Sequence, residues 1–434
     1  MRISSKPLLF IALLAFLVSA CCLPALAGLP PKKTPEELGL VLAPYGEGYE
    51  VTGYTGEAIS LDLTRLIIDK PVLRIGERAF YESIVKEVQL PDTLLSIGEE
   101  AFSYSNLQNI TLPAQVTVIP KQCFAYCTLL RRATINVNVQ RIEAFAFQGC
   151  ELLEYVFLSE TLTYLGESAF EGTRVREYDL PAGITEIPDN CFRACSKLSA
   201  VRTSGYLTRI GAYAFGYCPI FYRFAFERHS ETLTEIGEGA FCNTSLTKAV
   251  ITSRITVLPD SCFEGCKRLN AIKLPDGLTR IGEKALSGCR RLNGITIPQS
   301  VTEIGAGAFS ESSIVRIQIP EGVTSIEENT FYGCKNLLTF EFHAGITSIG
   351  DMAFYGCVRI KKITVPETVS ALGENTFEAC VWLQKADIQA GIDRLPDALF
   401  KDCPVLTSVT VASPIRAIGD SAFSGCKALK TGSL

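Results

Sequence analysis

The sequence predicts a repeat solenoid in which about 16 repeats of 22 or 23 residues each supply one short parallel strand, with short turns on the convex side. The first observation behind this prediction is a recurring phrase: Ile-Gly, two variable residues, a small residue and phenylalanine. The second is an apolar phrase, Leu-x-x-Ile-x-Leu, that follows the phenylalanine. A fixed period in this range is typical of solenoids, whose units are too small to bury their own apolar face and must stack on their neighbours.

The last residue of the first phrase, called the anchor from here on, recurs at nearly constant intervals. Consecutive anchors are 22 or 23 residues apart, except for a gap of 26 between Phe215 and Phe241. The anchors are Phe80, Phe102, Phe124, Phe147, Phe170, Phe192, Phe215, Phe241, Phe263, Leu286, Phe309, Phe331, Phe354, Phe377, Phe400 and Phe423. We expect these side chains to stack in the core of the array.

The second phrase predicts the strand of each repeat. Its last two apolar positions, such as Ile272 and Leu274, have the period of two that is typical of a strand with one buried face. Proline often closes the phrase, as at Pro275, and fits the end of a strand because it has no N–H to donate. The pattern predicts a strand of about five or six residues, followed by a short apolar pair and a Gly or Pro turn.

The residue three positions after the anchor changes together with the repeat length. Where it is cysteine, the next anchor generally lies 23 residues on, and where it is Ser or Thr, the next lies 22 on. We interpret the shorter repeat as a tighter turn in which a hydroxyl hydrogen-bonds to local backbone. The repeat of Cys218 carries three extra residues around positions 224–231, which we expect to bulge outward.

The combined pattern resembles the BspA-like, or Treponema-type, leucine-rich repeats. The resemblance rests on Leu-x-x-Ile-x-Leu-Pro followed by Ile-Gly-x-x-Ala-Phe-x-x-Cys, and it spans residues 45–430. Residues 48–56, leading to 70–76, are also similar to the way that family opens its array. The resemblance implies a leucine-rich repeat horseshoe or superhelix with a strand per repeat on the concave face, and often an exported protein that adheres to host or partner macromolecules.

The first 27 residues have the composition of a signal peptide. A basic start precedes a nearly unbroken apolar run at 8–20, and the small-x-small motif that ends at Ala27 predicts cleavage there. A competing interpretation is a lipobox at 18–21, after which Cys21 would carry a lipid anchor. We expect a capping segment at 28–70 and the repeat array at 71–434, with an uncapped C-terminal end. No later run reaches the roughly 18 apolar residues of a membrane span.

Composition argues against several functions. The formal net charge of −5 gives no support for nucleic-acid binding, which favours a basic surface. The two histidines, His229 and His343, are predicted to be loop residues, and no catalytic triad or phosphate-binding loop accompanies them. We therefore expect no enzymatic activity, no cofactor and no metal.

The cysteines are predicted to be buried free thiols. Of the 17, two lie in the signal segment, and eleven of the other 15 lie three residues after an anchor. Stacking places these eleven in a column without unique partners, and free cysteine is among the most buried residue types. The repeat pattern explains the Cys-x3-Cys spacings, so neither disulfides nor zinc need be invoked.

A candidate binding site lies among the strand residues predicted to point outward. Most of them are polar, but Tyr155 and Phe157 place two aromatic side chains together on the predicted concave face. Acidic and basic residues flank this pair, and aromatic and Arg residues are enriched at binding hot spots. The flanking residues are Glu177, Asp179, Arg202 and Arg223.

The pattern favours an exported leucine-rich repeat protein that binds a protein or glycan partner through its concave sheet. Such a protein would be secreted or held at the cell surface, where it would act as an adhesin, and host extracellular matrix is one candidate partner. The alternative is a structural or envelope-assembly spacer with no dedicated ligand, because stacked repeats look the same in either role.

Overall fold

The computed structural model describes residues 31–203 and 205–430, and it confirms the repeat solenoid. Each regular repeat contributes to three rows that run along the array: a sheet formed by the second phrase, a second sheet, and a row of turns around the anchor. We call the two sheets sheet A and sheet B. The predicted signal segment, with Ala27 and Cys21, lies outside the described residues, as do residues 431–434.

Sheet A contains the predicted strands, which pair in parallel between successive repeats, as in the alignment of Asn109 with Arg132. Its strands are β3 (Ser60–Asp62), β5 (Glu87–Gln89), β7 (Asn109–Thr111), β9 (Arg132–Thr134), β11 (Tyr155–Val156), β13 (Glu177–Leu180), β15 (Ala200–Thr203), β18 (Lys248–Val250), β20 (Ala271–Lys273), β25 (Lys362–Val365), β27 (Lys385–Ile388) and β29 (Ser408–Val411). They are shorter than predicted because a turn or a proline ends the ladder soon after the central apolar residue.

Sheet B is formed mainly by the short apolar pair of each repeat, which the sequence did not predict as a strand. Its strands are β1 (Leu40–Tyr45), β2 (Gly48–Tyr54), β4 (Val72–Ile75), β6 (Ser96–Ile97), β8 (Val118–Ile119), β10 (Arg141–Ile142), β12 (Tyr164–Leu165), β14 (Glu186–Ile187), β16 (Arg209–Ile210), β17 (Glu235–Ile236), β19 (Val257–Leu258), β21 (Arg280–Ile281), β22 (Glu303–Ile304), β23 (Ser325–Ile326), β24 (Ser348–Ile349), β26 (Ala371–Leu372), β28 (Arg394–Leu395) and β30 (Ala417–Ile418). Two residues suffice for a strand here because the neighbouring repeats hold the same register.

The turn row joins the repeats through alternate backbone amides. The amide of Phe80 donates to the carbonyl of Ala101 at 2.7 Å, and the amide of Glu82 donates to Ser103 at 2.9 Å. The amide between them, of Tyr81, donates within its own repeat to Arg78 at 3.1 Å. Every second N–H therefore points toward the next repeat, so the row satisfies backbone groups that would otherwise be buried without partners.

The core contains a ladder of stacked anchor rings. The distance between the ring centres of stacked neighbouring anchors ranges from 5.0 Å, for Phe80 and Phe102, to 5.8 Å, for Phe400 and Phe423. Leu286 interrupts the ladder between Phe263 and Phe309 while staying fully buried. These contacts confirm the predicted core and couple each repeat to both of its neighbours.

The cysteine column is buried, as predicted. All 15 cysteines of the described residues are free, and only Cys426 is partly exposed. Each column thiol donates to an anchor carbonyl of the preceding repeat, as Cys127 does to Phe102 at 2.9 Å. Burial raises the pKa of Cys127 to about 12, so the thiol stays protonated and keeps its donor. In two of the shorter repeats the predicted local hydrogen bond is present, because the hydroxyls of Thr173 and Thr244 each donate to the carbonyl of their own anchor at 2.8 Å. In the shorter repeats with serine it is not, since Ser105 and Ser312 contact a cysteine thiol of the next repeat instead.

The three-residue insertion does not bulge outward, and that prediction was wrong. Its residues form the 3-10 helix η2 (Phe226–His229), and both Phe224 and Phe226 are buried. Their rings lie 5.7 Å and 5.2 Å from the ring of Phe241. The insertion folds inward because its phenylalanines supply apolar surface that stabilises the core more than it would a solvated loop.

The N-terminal described residues cover the first anchor. Helix α1 (Pro35–Leu38) begins after Thr34, which forms a capping box with Glu37, and it ends at Gly39 in the left-handed conformation. The antiparallel hairpin β1–β2 follows and brings the ring of Tyr54 to 5.7 Å from the first anchor ring. The 3-10 helix η1 (Leu63–Arg65) then leads into the array. In the part of the chain that the structure describes, no helix has the length and apolar character of a membrane span.

Candidate functional site

The strand alternation places the predicted aromatic pair on the surface of sheet A. The side chains of Tyr155 and Phe157 are 60% and 41% exposed, whereas Val156 between them is fully buried. The same alternation of exposed and buried side chains continues along most of the sheet. Ala200, predicted to point outward, is buried. Tyr155 and Phe157 therefore present a large area of aromatic surface that the fold itself does not cover.

The aromatic pair forms one wall of a shallow groove of about 790 Å³. The residues that line the groove are Asn109, Arg131, Arg132, Ala133, Thr134, Leu152, Glu154, Tyr155 and Phe157. Tyr155 aligns with Arg132 in the parallel pairing of β11 with β9, which puts an arginine one strand away from the tyrosine. A second groove, of about 800 Å³, covers β3 to β9 and shares Asn109 and Thr134 with the first. The two grooves form a continuous surface across the first five strands of sheet A.

The sheet is discontinuous beside this pair. β11 is the last strand of a five-stranded segment, and β13 begins a new segment with β15. Tyr178 occupies the buried central position of β13, with its ring 5.3 Å from Phe170 and 5.6 Å from Phe192. Its hydroxyl is buried, and burial raises the pKa of this phenol well above its usual value. A bulky tyrosine thus replaces the usual aliphatic residue under the edge of the aromatic pair.

Three of the predicted charged residues form one ion-pair cluster. The Nε atom of Arg202 lies 2.5 Å from Oδ1 of Asp179, and its Nη1 atom lies 3.0 Å from Oε2 of Glu177. The hydrogen bonds that Arg202 donates to Asp179, and then to Glu177, raise the pKa of its guanidinium. Arg223 takes part in none of the ion pairs found in the described residues, and its backbone pairs with Ala200. The structure therefore brings Glu177, Asp179 and Arg202 together and leaves Arg223 separate.

The cations that line the aromatic groove are ones that the sequence analysis did not single out. Arg131 and Arg132 precede the aromatic pair by one repeat, whereas the flanking residues named from the sequence follow it. Glu154, which also lines the groove, is paired with Arg176 at 2.8 Å. The sequence does contain a signal for Arg131 and Arg132, because they occupy the same positions in their repeat as residues 154 and 155 do in the next.

No group of three or more His, Cys, Asp or Glu side chains within residues 31–203 and 205–430 is arranged to hold a metal ion. Burial raises the pKa of the core thiols, including those of Cys123 and Cys191, which removes the thiolate that metal binding and nucleophilic attack require.

His229 is a buried structural residue, so its prediction as a loop residue was wrong. Its Nδ1 atom accepts the backbone N–H of Leu207 at 3.2 Å, which leaves Nε2 to donate to the hydroxyl of Thr203 at 2.8 Å. Burial, and then the nearby charge of Arg228, lower the pKa of the imidazole. The spacing of Phe226 and His229, three residues apart on one face of a 3-10 turn, is the sequence signal for this inward orientation.

We expect His229 to make the stability of the protein depend on pH. The pKa of His229 is lower in the folded state, so the unfolded chain binds a proton more readily as the pH falls. The contribution of His229 to stability is therefore fully present above a pH of about 6.5 and is lost as the pH decreases below that value. The thermal midpoint should therefore drop more between pH 7.5 and 5.5 in the natural chain than in the His229→Gln variant. Equal slopes in the natural chain and in the His229→Gln variant would contradict this role.

A family model described as BspA type leucine-rich repeat region (6 copies) matches residues 59–156, 130–234, 207–315, 234–343 and 302–430. The chain belongs to the BspA-type leucine-rich repeat family. This assignment explains the repeat length, the anchor ladder and the strand of each repeat as shared features, and it confirms the resemblance seen in the sequence.

The chain is similar to solved structures of leucine-rich repeat proteins from bacteria. A leucine-rich repeat protein from Bacteroides ovatus ATCC 8483 is 23% identical, with a TM-score of 0.56 over 90% of this chain and 92% of that chain. A leucine-rich cell surface protein from Faecalibacterium prausnitzii A2-165 is also 23% identical, with a TM-score of 0.49 over 86% and 93% of the two chains. Among curated proteins none matches the chain. The assignment to this family leaves the partner to be inferred from the surface of this chain.

Proposed function

We propose that this protein is exported and binds a protein or glycan partner on sheet A, as an adhesin that is secreted or displayed at the cell surface. Host extracellular matrix is the partner class that fits such an exposed position. The basic and apolar start of the sequence, with a cleavage motif that ends at Ala27, supports export. A lipid on Cys21 would hold the protein at the membrane surface instead of releasing it.

The single observation that carries this proposal is the exposed aromatic pair beside a groove. Tyr155 and Phe157 lie next to Arg131 and Arg132 in a sheet whose other outward residues are mostly small or polar. Aromatic and Arg side chains supply much of the energy of protein interfaces, and aromatic rings also stack against the C–H faces of sugars. The continuous grooves over β3 to β11 supply the extended area that a macromolecular partner needs.

The variant Tyr155→Ser with Phe157→Ser tests the site. We expect at least a tenfold loss of affinity, because hot-spot truncations cost about 2 kcal/mol or more. The measurement is biolayer interferometry of the mature chain against a panel of immobilised matrix proteins and glycans. The matched control is Tyr206→Ser with Trp382→Ser, which removes two exposed aromatic residues that lie outside the strands of sheet A.

Two results would contradict the proposal. The first is unchanged affinity in the Tyr155 and Phe157 variant while circular dichroism shows that it is folded. The second concerns location: an adhesin is removed from intact cells by added protease, whereas a spacer inside the envelope is protected. Protection on intact cells would favour the structural role.

A further inference from the structure

A line of five exposed cations runs along the second half of sheet A. They lie four or more repeats beyond the aromatic pair, on the order of 20 Å away at the spacing of neighbouring strands. We call this line the basic stripe; it consists of Lys248, Lys273, Arg316, Lys362 and Lys385. All five side chains are exposed.

Alternation with buried or partly buried central residues places these cations on one face, and Arg316 pairs with Thr339 in an isolated parallel bridge. Lys248 aligns with Ala271, and Val250 aligns with Lys273, in the pairing of β18 with β20. Lys362 aligns directly with Lys385 in the pairing of β25 with β27. Neighbouring strands are about 4.8 Å apart, so two like charges stand side by side, an arrangement that is destabilising unless an anion lies between them or above them.

The stripe is not neutralised by the protein itself. None of its five residues takes part in an ion pair among residues 31–203 and 205–430, although Arg202 of the same sheet is paired with Glu177 and Asp179. Two carboxylates, Glu341 and Asp387, share this face of the sheet. Asp387 is already hydrogen-bonded to Gln389 and Thr410. The stripe is therefore a positive region on a chain whose formal net charge is −5.

A shallow apolar floor lies within the stripe, between Lys273 and Arg316. The outward residues of the two repeats that form it include Ala271 and Gly294, and a Cβ built on Gly294 would meet nothing within 4 Å. As a result, the central aliphatic residues of these two repeats, Ile272 and Ile295, remain only partly buried. Small outward residues thus expose apolar surface with a cation on either side.

We propose that the basic stripe binds a linear acidic polysaccharide. Carboxylate or sulfate groups that recur along such a chain match cations that recur along the sheet, and the C–H faces of the sugar rings fit the apolar floor. This inference rests on the proposed use of sheet A as a binding face, but it uses other repeats than the aromatic groove does.

Two other polyanions fit less well. Single-stranded nucleic acid gains affinity from aromatic side chains that stack on bases, and the stripe has none. An acidic peptide in extended form pairs along the length of one edge strand, whereas the cations of the stripe are spread across successive strands. A polysaccharide needs neither feature.

The test is binding of the mature chain to immobilised heparin and hyaluronan, which carry sulfate with carboxylate, or carboxylate alone. The stripe variant replaces Lys248, Lys273 and Lys362 with Gln. Its matched control replaces Lys121, Lys335 and Lys427, which are exposed lysines outside the sheet strands, so that both variants lose the same charge. We expect the stripe variant to lose affinity by at least about tenfold and the control by less than about threefold, because three paired charges contribute several tenths of a kcal/mol each or more.

The outcomes are separable. The inference is supported if the natural protein binds heparin, or both heparin and hyaluronan, and the stripe variant loses this affinity. Which of the two polysaccharides binds also identifies the anionic group that is recognised. Three results overturn it. The protein binds neither polysaccharide, the stripe variant and the control lose the same affinity, or duplex DNA or poly-glutamate binds as tightly as the polysaccharides do. The Tyr155→Ser and Phe157→Ser variant should retain polysaccharide binding, so failure of the proposed aromatic site leaves this result intact.

Discussion

Replacement of Phe241 by alanine is expected to lower the free energy of unfolding by about 3–5 kcal/mol, the range for a large aromatic residue lost from a core. Phe241 is fully buried, and its ring contacts the anchor rings before and after it as well as two rings of the insertion. The ring-centre distances are 5.4 Å to Phe215, 5.5 Å to Phe263, 5.7 Å to Phe224 and 5.2 Å to Phe226. Urea unfolding followed by circular dichroism measures the loss.

Two variants calibrate this effect. Phe241→Leu should cost much less, because the array already accepts Leu286 as a buried anchor. Phe400→Ala should also cost less, since the ring of Phe400 has only the anchors Phe377 and Phe423 as ring neighbours among the described residues. A loss for Phe241→Ala that is no larger than that of Phe400→Ala would show that the insertion does not contribute to the core at this position.

Replacement of Gly39 by alanine is expected to destabilise the protein by about 3 kcal/mol, for two reasons that add together. Gly39 has a φ of +70°, where residues with a Cβ are strained. A Cβ at this position would also lie 2.4 Å from the backbone nitrogen of Gly56, and backbone cannot rotate away as a side chain can. The contact joins α1 to the segment after β2, so its loss should loosen the cover over Phe80.

Gly46 supplies the control for this prediction. It has a φ of +55° but nothing lies within 4 Å of its Cβ position, so Gly46→Ala carries only the conformational cost of about 1 kcal/mol. Thermal unfolding of both variants, with hydrogen exchange of residues 40–54, distinguishes the two contributions. Equal effects of the two substitutions would show that the close approach to Gly56 is relieved without cost.

The periodic features of this protein were predictable from the sequence because each depends on its own repeat. The anchor Phe241, the thiol of Cys127 and the outward direction of Tyr155 all follow from position within the period. A buried residue in one repeat predicts a buried residue in the next, since the stacked turns share one environment. The same reasoning accounts for the correct expectation that Tyr155 and Phe157 are exposed.

The exceptions to the period were harder to predict, because they depend on what an irregular segment finds next to it. The insertion looked like a surface loop, but Phe226 and His229 turn inward to meet Phe241 and Thr203. Ala200 was expected to face solvent and is buried. In these places the gain from burial exceeded the local preference for a loop or an exposed strand.

Sequence alone was sufficient to determine the solenoid, the family, the buried ladder of anchors and the free cysteines, because all of these repeat with the period. Tertiary structure alone decided how side chains in different repeats combine. It joined Arg202 to Glu177 and Asp179, placed Arg132 beside Tyr155, and aligned Lys362 with Lys385. These contacts link residues about one period apart in sequence, and they depend on the register between strands and on how far each side chain reaches, which no single repeat encodes.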